Sequence, residues 1–256
     1  MKVYSIDCQE NSKLVASKSL KYTLAYLELH FSGVSGRALL AYGGANWTPI
    51  YPDWEVEKTN MPFEQLPVLR IIETEEGGAG RELLLAENFA IDHFLAKQFG
   101  LHGENSWEEA LINSFYSSSS SLFFQALINN FFWGSATKSD EEKAAALDTL
   151  LTKALPTWCN LHESHLKNNH QNGHYVGNRT TLADIKTVTV LDALTKVIGV
   201  DRFDSVINET TTPGLHKVIV NVQNNPSYAA WINSDEYKTL DSKTTAFVKE
   251  HHPELF

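Results

Sequence analysis

Apolar and polar positions alternate differently in the two parts of this chain. Up to Gly100 the apolar residues come in short runs broken by glycine, proline and acidic turns. Lys21–His30 (KYTLAYLELH) has the aromatic and β-branched content of a strand, and Trp47–Tyr51 is a second strand candidate. Between them, Gly33–Gly36 reads as a loop and Arg37–Tyr42 as a short helix stopped by Gly43-Gly44. Pro67–Ile72 and Glu82–Leu85 flank an acidic, glycine-rich turn, Glu73–Arg81, and together predict a hairpin. Asn88 opens a helix in which Ile91, Phe94, Leu95 and Phe99 keep helical spacing, and Gly100 stands where a left-handed C-terminal residue belongs.

After Gly103–Ser106, a polar connector, the spacing is helical throughout. Trp107–Trp133, Ser139–Asn168, Leu182–Ile198 and Pro213–Gln223 carry it, and no strand pattern intervenes. The expected organisation is a polar extension over residues 1–20, an α/β domain over 21–102 and an all-helical domain over 103–256. One low-complexity stretch, Ser117–Ser121, lies inside a helical pattern. Serine is a poor helix former, so the run implies a face that hydrogen-bonds something.

Composition narrows the functional classes. Thirty-one acidic against 21 basic residues give a formal charge of −10, which argues against nucleic acid as a partner. Residues 1–12 lack the apolar core of a signal peptide, and no apolar stretch reaches bilayer length, so no membrane partner is expected. Two cysteines, Cys8 and Cys159, are too few for a disulfide framework. They read as free buried thiols in a reducing, cytoplasmic setting.

The motifs resemble those of the glutathione transferases, in the tyrosine-type, sigma/mu-like branch. Tyr22–Leu27 (YTLAYL) is similar to the first strand that carries their active tyrosine, and Arg37–Tyr42 to their first helix. Met61–Leu69 (MPFEQLPVL) is close to the family's PFGQLPVL segment. Glu87–Ile91 stands where the family has a Gln-Ser or Glu-Ser pair. Tyr175-Val176-Gly177 with Thr181–Ile185 resembles the capping motif of its core helix. Pro213-Gly214-Leu215, Asn225-Pro226 and Trp231 match its C-terminal pattern. The resemblance runs from Tyr22 to Trp231. It implies a thioredoxin-like N-terminal domain plus an all-α C-terminal domain, the glutathione transferase fold.

The resemblance also implies a site. Leu66-Pro67 would be the cis-proline turn whose Leu66 peptide pairs with the extended cysteinyl part of glutathione. Glu87 and Asn88 would grip the γ-glutamyl end, with Asn88 also suited to cap the helix. Trp54, Lys58 and Gln65 would hold the glycine carboxylate. Tyr26 would be the catalytic residue, donating a hydrogen bond that stabilises the thiolate. A free thiol titrates near about 8.5, and lowering that below about 7 needs about 2 kcal/mol, which one hydrogen bond to a charged group supplies. Phe123 and Ile128 fall where pocket residues for an apolar electrophile would stand. Glutathione enters as co-substrate, no metal is expected, and the implied assembly is a homodimer.

Two positions depart from the pattern. Sigma-class members usually carry an arginine six residues beyond the tyrosine; here that position is Ser32, and His30 lies two residues earlier. Both remain alternative thiolate activators. An acid expected on the first long helix is replaced by Ser121. The leading reading is therefore conjugation of glutathione to apolar electrophiles, with a glutathione-coupled isomerase as a subtype. The alternatives are a catalytically weak relative that binds glutathione or hydrophobic ligands, or is structural as lens crystallins of this fold are, and an interaction module of the kind found in an elongation-factor subunit.

Overall fold

The apolar run at Lys21 becomes a strand, but a shorter one than its pattern predicts. In the computed structural model, which describes residues 4, 7–16, 19–74, 81–124 and 138–252, strand β1 spans Leu20–Ala25. The chain leaves the sheet there because the carbonyls of Leu27 and Leu29 are taken by the Arg37 guanidinium, at 3.0 and 2.6 Å. A 3-10 turn, Phe31–Gly33, follows. The first helix after the strand begins at Val34, three residues earlier than the glycine-rich loop suggested.

The chain divides into two compact units, Met1–Phe99 and Gly100–Phe256. The first holds helix α1 (Cys8–Val15), β1, helix α2 (Val34–Tyr42), strand β2 (Trp47–Ile50), the single-turn helix α3 (Trp54–Glu57), strands β3 (Val68–Glu73) and β4 (Glu82–Ala86), and helix α4 (Asn88–Gln98). The four strands lie in the order β2-β1-β3-β4. β1 runs parallel to β2 and antiparallel to β3, and β3 is antiparallel to β4. The period of two puts Tyr22, Leu24, Leu69 and Ile71 on one face. That face meets α2 and α4: Gly36 and Ile91 lie close together beside Leu24, Tyr22 meets Phe99 edge-on, and Ser35 bonds the buried Asp92 at 2.7 Å. The other face carries Ala25, Val68 and Ala86, joined by Met61 and flanked by Ile50, Trp54, Leu66 and Leu84.

The polar N-terminal stretch is not featureless. Asp7 caps α1, and the helix buries one side chain, Leu14, to 1 % exposure. Gln98 Nε2 donates to the carbonyl of Val15, and Arg81 pairs with Glu10 at 3.1 Å. A pattern with a single apolar anchor gives almost no periodic signal, which is why the sequence suggested only an extension. Cys8, the first residue of α1, is exposed, contrary to the buried thiol expected; Cys159 is buried, and burial pushes its thiol up to about 12.

The second unit is helical among the described residues: α5 (Ser106–Leu122), α6 (Asp140–Thr149), α7 (Leu155–Asn168), α8 (Leu182–Ile198), α9 (Val200–Val206), α10 (Pro213–Gln223), α11 (Pro226–Ile232) and α12 (Asp235–His251). A π-helical turn, Leu150–Ala154, joins α6 to α7 immediately ahead of Pro156. Helix α8 is buried along most of its length and starts at the expected capping motif. The backbone N–H and the hydroxyl of Thr181 both donate to Asp184, whose other oxygen accepts the N–H of Tyr175. Burial raises that carboxyl to about 6, against the three donors that favour its charged form.

Candidate active site

Tyr26 stands just beyond the end of β1, its N–H bonded to the Ile50 carbonyl at 3.1 Å. Its ring is buried and lies directly against Gly33. The backbone N–H of Ser32 donates to the phenolic oxygen at 3.2 Å. Burial raises the phenol's pKa, and the Ser32 bonds and the nearby Arg37 charge lower it less, so the net direction is upward. A phenol in this setting is protonated at neutral pH and accepts one bond while keeping its own proton to donate.

Arg37 is the residue that fixed spacing misses. It lies eleven positions beyond Tyr26 instead of six. The 3-10 turn and the start of α2 lie between them, and the guanidinium stands 5.7 Å from the Tyr26 ring centroid and 5.8 Å from that of Tyr51. Arg37 is 0 % exposed. Its terminal nitrogens donate to the Leu29 and Leu27 carbonyls, and Ser32 holds the tyrosine oxygen with its backbone N–H. His30, immediately before the turn, is buried.

The remaining candidate residues of the first unit sit on the other turns of the sheet. The Leu66-Pro67 peptide bond is cis. Among the described residues, neither the N–H nor the C=O of Leu66 has a hydrogen-bond partner. The turn before it is unusual, with Phe63 and Glu64 both at positive φ, 57° and 51°. Pro67 is buried, Leu66 and Trp54 are half-buried around the Ala25–Val68–Ala86 cluster, and Lys58 and Gln65 are exposed. A cavity of about 290 Å³ opens on this same face, between β-strand residues such as Thr23 and Val68 and the segment at Glu57–Met61.

Glu87 is exposed and holds φ 74°, ψ 124°, directly before α4. A non-glycine residue in such a conformation costs about 1–3 kcal/mol and persists where surrounding structure imposes it. Asn88 does not cap α4. It is the first helical residue, Glu87 is the capping position, and no side chain bonds the helix start. The terminal N–H groups of α4 are therefore not masked by a side-chain cap, which is the arrangement that attracts a carboxylate.

In the helical unit the serine run has definite partners. Ser118 meets His162 Nε2 at 2.9 Å, and Ser119 meets Thr187 at 2.9 Å, so the run ties α5 to α7 and α8. His162 Nδ1 lies 2.6 Å from the Tyr175 hydroxyl, and its ring stacks on Trp158. Burial lowers its pKa to about 3, so it is a neutral imidazole. Ser121 is exposed on α5. Phe123 is buried and packs edge-on against Phe124. Ile128 lies outside the described residues.

Comparison with known proteins agrees with this layout. A family model described as "Glutathione S-transferase, C-terminal domain" matches residues 126–235. The chain is 34 % identical over 96 residues to "Probable glutathione S-transferase 7" of Caenorhabditis elegans, a stretch that covers 36 % of this chain and 42 % of that protein. It is 25 % identical over 213 residues to "Probable glutathione S-transferase 6" of the same nematode, covering 81 % of this chain and 98 % of the relative. The solved structure of prostaglandin synthase D of Nilaparvata lugens is 26 % identical, with a TM-score of 0.65 over 84 % of this chain and 98 % of that one. The fold is a thioredoxin-like domain plus an all-helical domain, and along most of its length the chain is similar to glutathione transferases. No described helix is long and apolar enough to cross a membrane.

Proposed function

We propose that this protein is a tyrosine-activated transferase that joins the glutathione thiolate to apolar electrophiles. The observation that carries the proposal is Tyr26: a protonated phenol whose oxygen is fixed by the Ser32 N–H, with a buried guanidinium beside its ring. Its O–H donates to the glutathione sulfur and favours the thiolate, and the Arg37 charge adds to the same effect. The thiolate forms a carbon–sulfur bond with the electrophile as the leaving group departs with its electron pair. The thiol proton is lost to solvent beforehand, so the phenol never needs to ionise.

The rest of the first unit binds the tripeptide. The open Leu66 peptide pairs with its extended backbone. Glu87 takes the ammonium, and the start of α4, with Asn88, takes the γ-glutamyl carboxylate. Trp54, Lys58 and Gln65 hold the glycine carboxylate. Phe123 contributes to the apolar wall. The protein works as a homodimer, and light scattering at micromolar concentration is expected to report twice the chain mass of 28.7 kDa. Exposed Phe63, a large aromatic at positive φ with 59 % of its surface open, supports an interface on this unit. A catalytically weak relative is the second reading; the buried Arg37 charge beside the Tyr26 ring weighs against it.

The test is Tyr26→Phe. Removing one charge-assisted bond of about 1.5–3 kcal/mol is expected to cut turnover about ten- to hundred-fold. Calorimetric affinity for glutathione stays near that of the wild type. The ultraviolet absorbance of the bound thiolate, titrated against pH, shifts its midpoint upward. An unchanged midpoint together with unchanged turnover would remove Tyr26 from the mechanism and leave His30 and the Ser32 hydroxyl as the candidates.

A further inference from the structure

The N-terminal stretch reaches the proposed glutathione site through one side chain. The N–H of Ala86 donates to the phenolic oxygen of Tyr4 at 3.1 Å, across 82 positions of sequence. Ala86 is the last residue of β4, 1 % exposed, and the next residue is the strained Glu87. The ring of the same Tyr4 meets Phe63 edge-on at 5.7 Å. Phe63 and Glu64 form the positive-φ turn that leads into Gln65, Leu66 and Pro67. Tyr4 therefore joins two turns that are far apart in sequence, and each of them carries an unfavourable backbone conformation. Helix α1 is held to the same unit through buried Leu14, the Glu10–Arg81 pair and the Gln98 bond to Val15.

We infer that Tyr4 is a positioning residue for glutathione, bracing the Ala86-Glu87-Asn88 turn and the Phe63–Pro67 turn in the register that binds the tripeptide; this rests on the binding role proposed above. The physical argument is the combination of strain and support. A residue held at φ 74° relaxes unless its neighbours fix it. The Ala86 N–H is the last backbone anchor ahead of Glu87, and an edge strand has no further strand to take it. Remove the phenolic oxygen, and a buried N–H loses its partner. The turn then gains freedom where the γ-glutamyl end must dock, so affinity falls through lost preorganisation. Among the described residues, the hydrogen bond and the ring contact of Tyr4 go to Ala86 and Phe63, not to Tyr26 or Ser32. Chemistry on bound glutathione should therefore be spared.

Tyr4→Phe in the full chain separates these effects, because it keeps the ring on Phe63 and deletes only the acceptor. Three readouts are compared with the wild type: glutathione Kd by calorimetry, kcat at saturating glutathione, and hydrogen exchange at the Ala86 amide. The expected result is a Kd weakened about three- to tenfold, kcat within about twofold, and faster Ala86 exchange, with an unchanged mass by light scattering. Faster exchange with an unchanged Kd would make Tyr4 an edge cap only and overturn the inference. So would a weaker Kd with unchanged exchange, or one accompanied by a halved mass. If the wild type itself gives no heat with glutathione, the proposed function fails and this inference with it. Heat from the wild type and an equal Kd in the variant overturns the inference alone.

Discussion

Gly33→Ala tests the placement of Tyr26 without touching any of its polar groups. Gly33 has φ −78° and ψ −15°, a conformation alanine adopts freely, so the substitution acts only through space. An added Cβ would lie 2.5 Å from both Cγ and Cδ1 of Tyr26 and 3.0 Å from its Cβ. Carbon atoms rest about 3.5–4.0 Å apart, so the ring must retreat by about 1 Å. The Ser32 bond, already 3.2 Å long, does not survive that movement. A misplacement of about 1 Å costs about 10²-fold in rate, or about 2.7 kcal/mol of barrier. Overpacking at the same position costs about 1–3 kcal/mol of stability. The assay is conjugation of glutathione to a chromogenic aromatic electrophile, with the thiolate midpoint and a urea titration measured on the same samples. Gly36→Ala is the control: its Cβ would stand 3.1 Å from the end of the Leu24 side chain and at ordinary contact distance, 3.6 Å, from Ile91, and turnover should stay within about twofold of the wild type. A Gly33→Ala protein with wild-type turnover and midpoint would show that the position of this phenol does not set the rate.

Arg37→Met leaves the Leu27 and Leu29 carbonyls without their donor and should lower stability by about 3 kcal/mol in urea titration, with an upward shift of the thiolate midpoint. A loss under about 1 kcal/mol, or a fixed midpoint, would count against the buried guanidinium as a support for both loop and site. For His162, the folded pKa of about 3 lies below the ordinary value of 6.5. The unfolded chain therefore binds the proton first, and this contribution to stability is complete above pH 6.5 and is lost as pH falls towards 3. At pH 4.5 the loss amounts to about 3 kcal/mol. His162→Gln should flatten the pH dependence of stability between pH 7 and 4.5, and an unchanged slope would mean that other groups carry it.

How far the sequence could be read depended on whether a feature was local. The hairpin, the start of α4 and the Thr181–Asp184 cap follow from neighbouring residues and appear where the pattern puts them, within a residue or two. The cis Leu66-Pro67 turn was expected from the resemblance of Met61–Leu69, at a residue type for which the cis form is accessible. Arg37 was not, since its approach to Tyr26 depends on how the chain folds back through the Phe31–Gly33 turn. Helix α12 was missed because its buried residues, Leu240, Thr244 and Val248, are only three among many exposed polar ones. The serine run announced a hydrogen-bonding face, but its partners, His162 and Thr187, lie 44 and 68 positions away and carry no local signal.

The N-terminal segment also changes what the sheet can do to its neighbours. β2 and β4 are its outer strands, and an outer strand is a template for another chain to pair with. β2 carries Pro49, which has no N–H to offer. β4 contains no proline and reads ELLLA, a sequence well suited to intermolecular pairing. Tyr4 occupies the Ala86 end of that strand, and Glu10 holds Arg81 just ahead of its other end. The stretch before β1 thus meets this outer strand at one end and the residue ahead of it at the other, and a chain truncated there would leave the Ala86 N–H open to another partner.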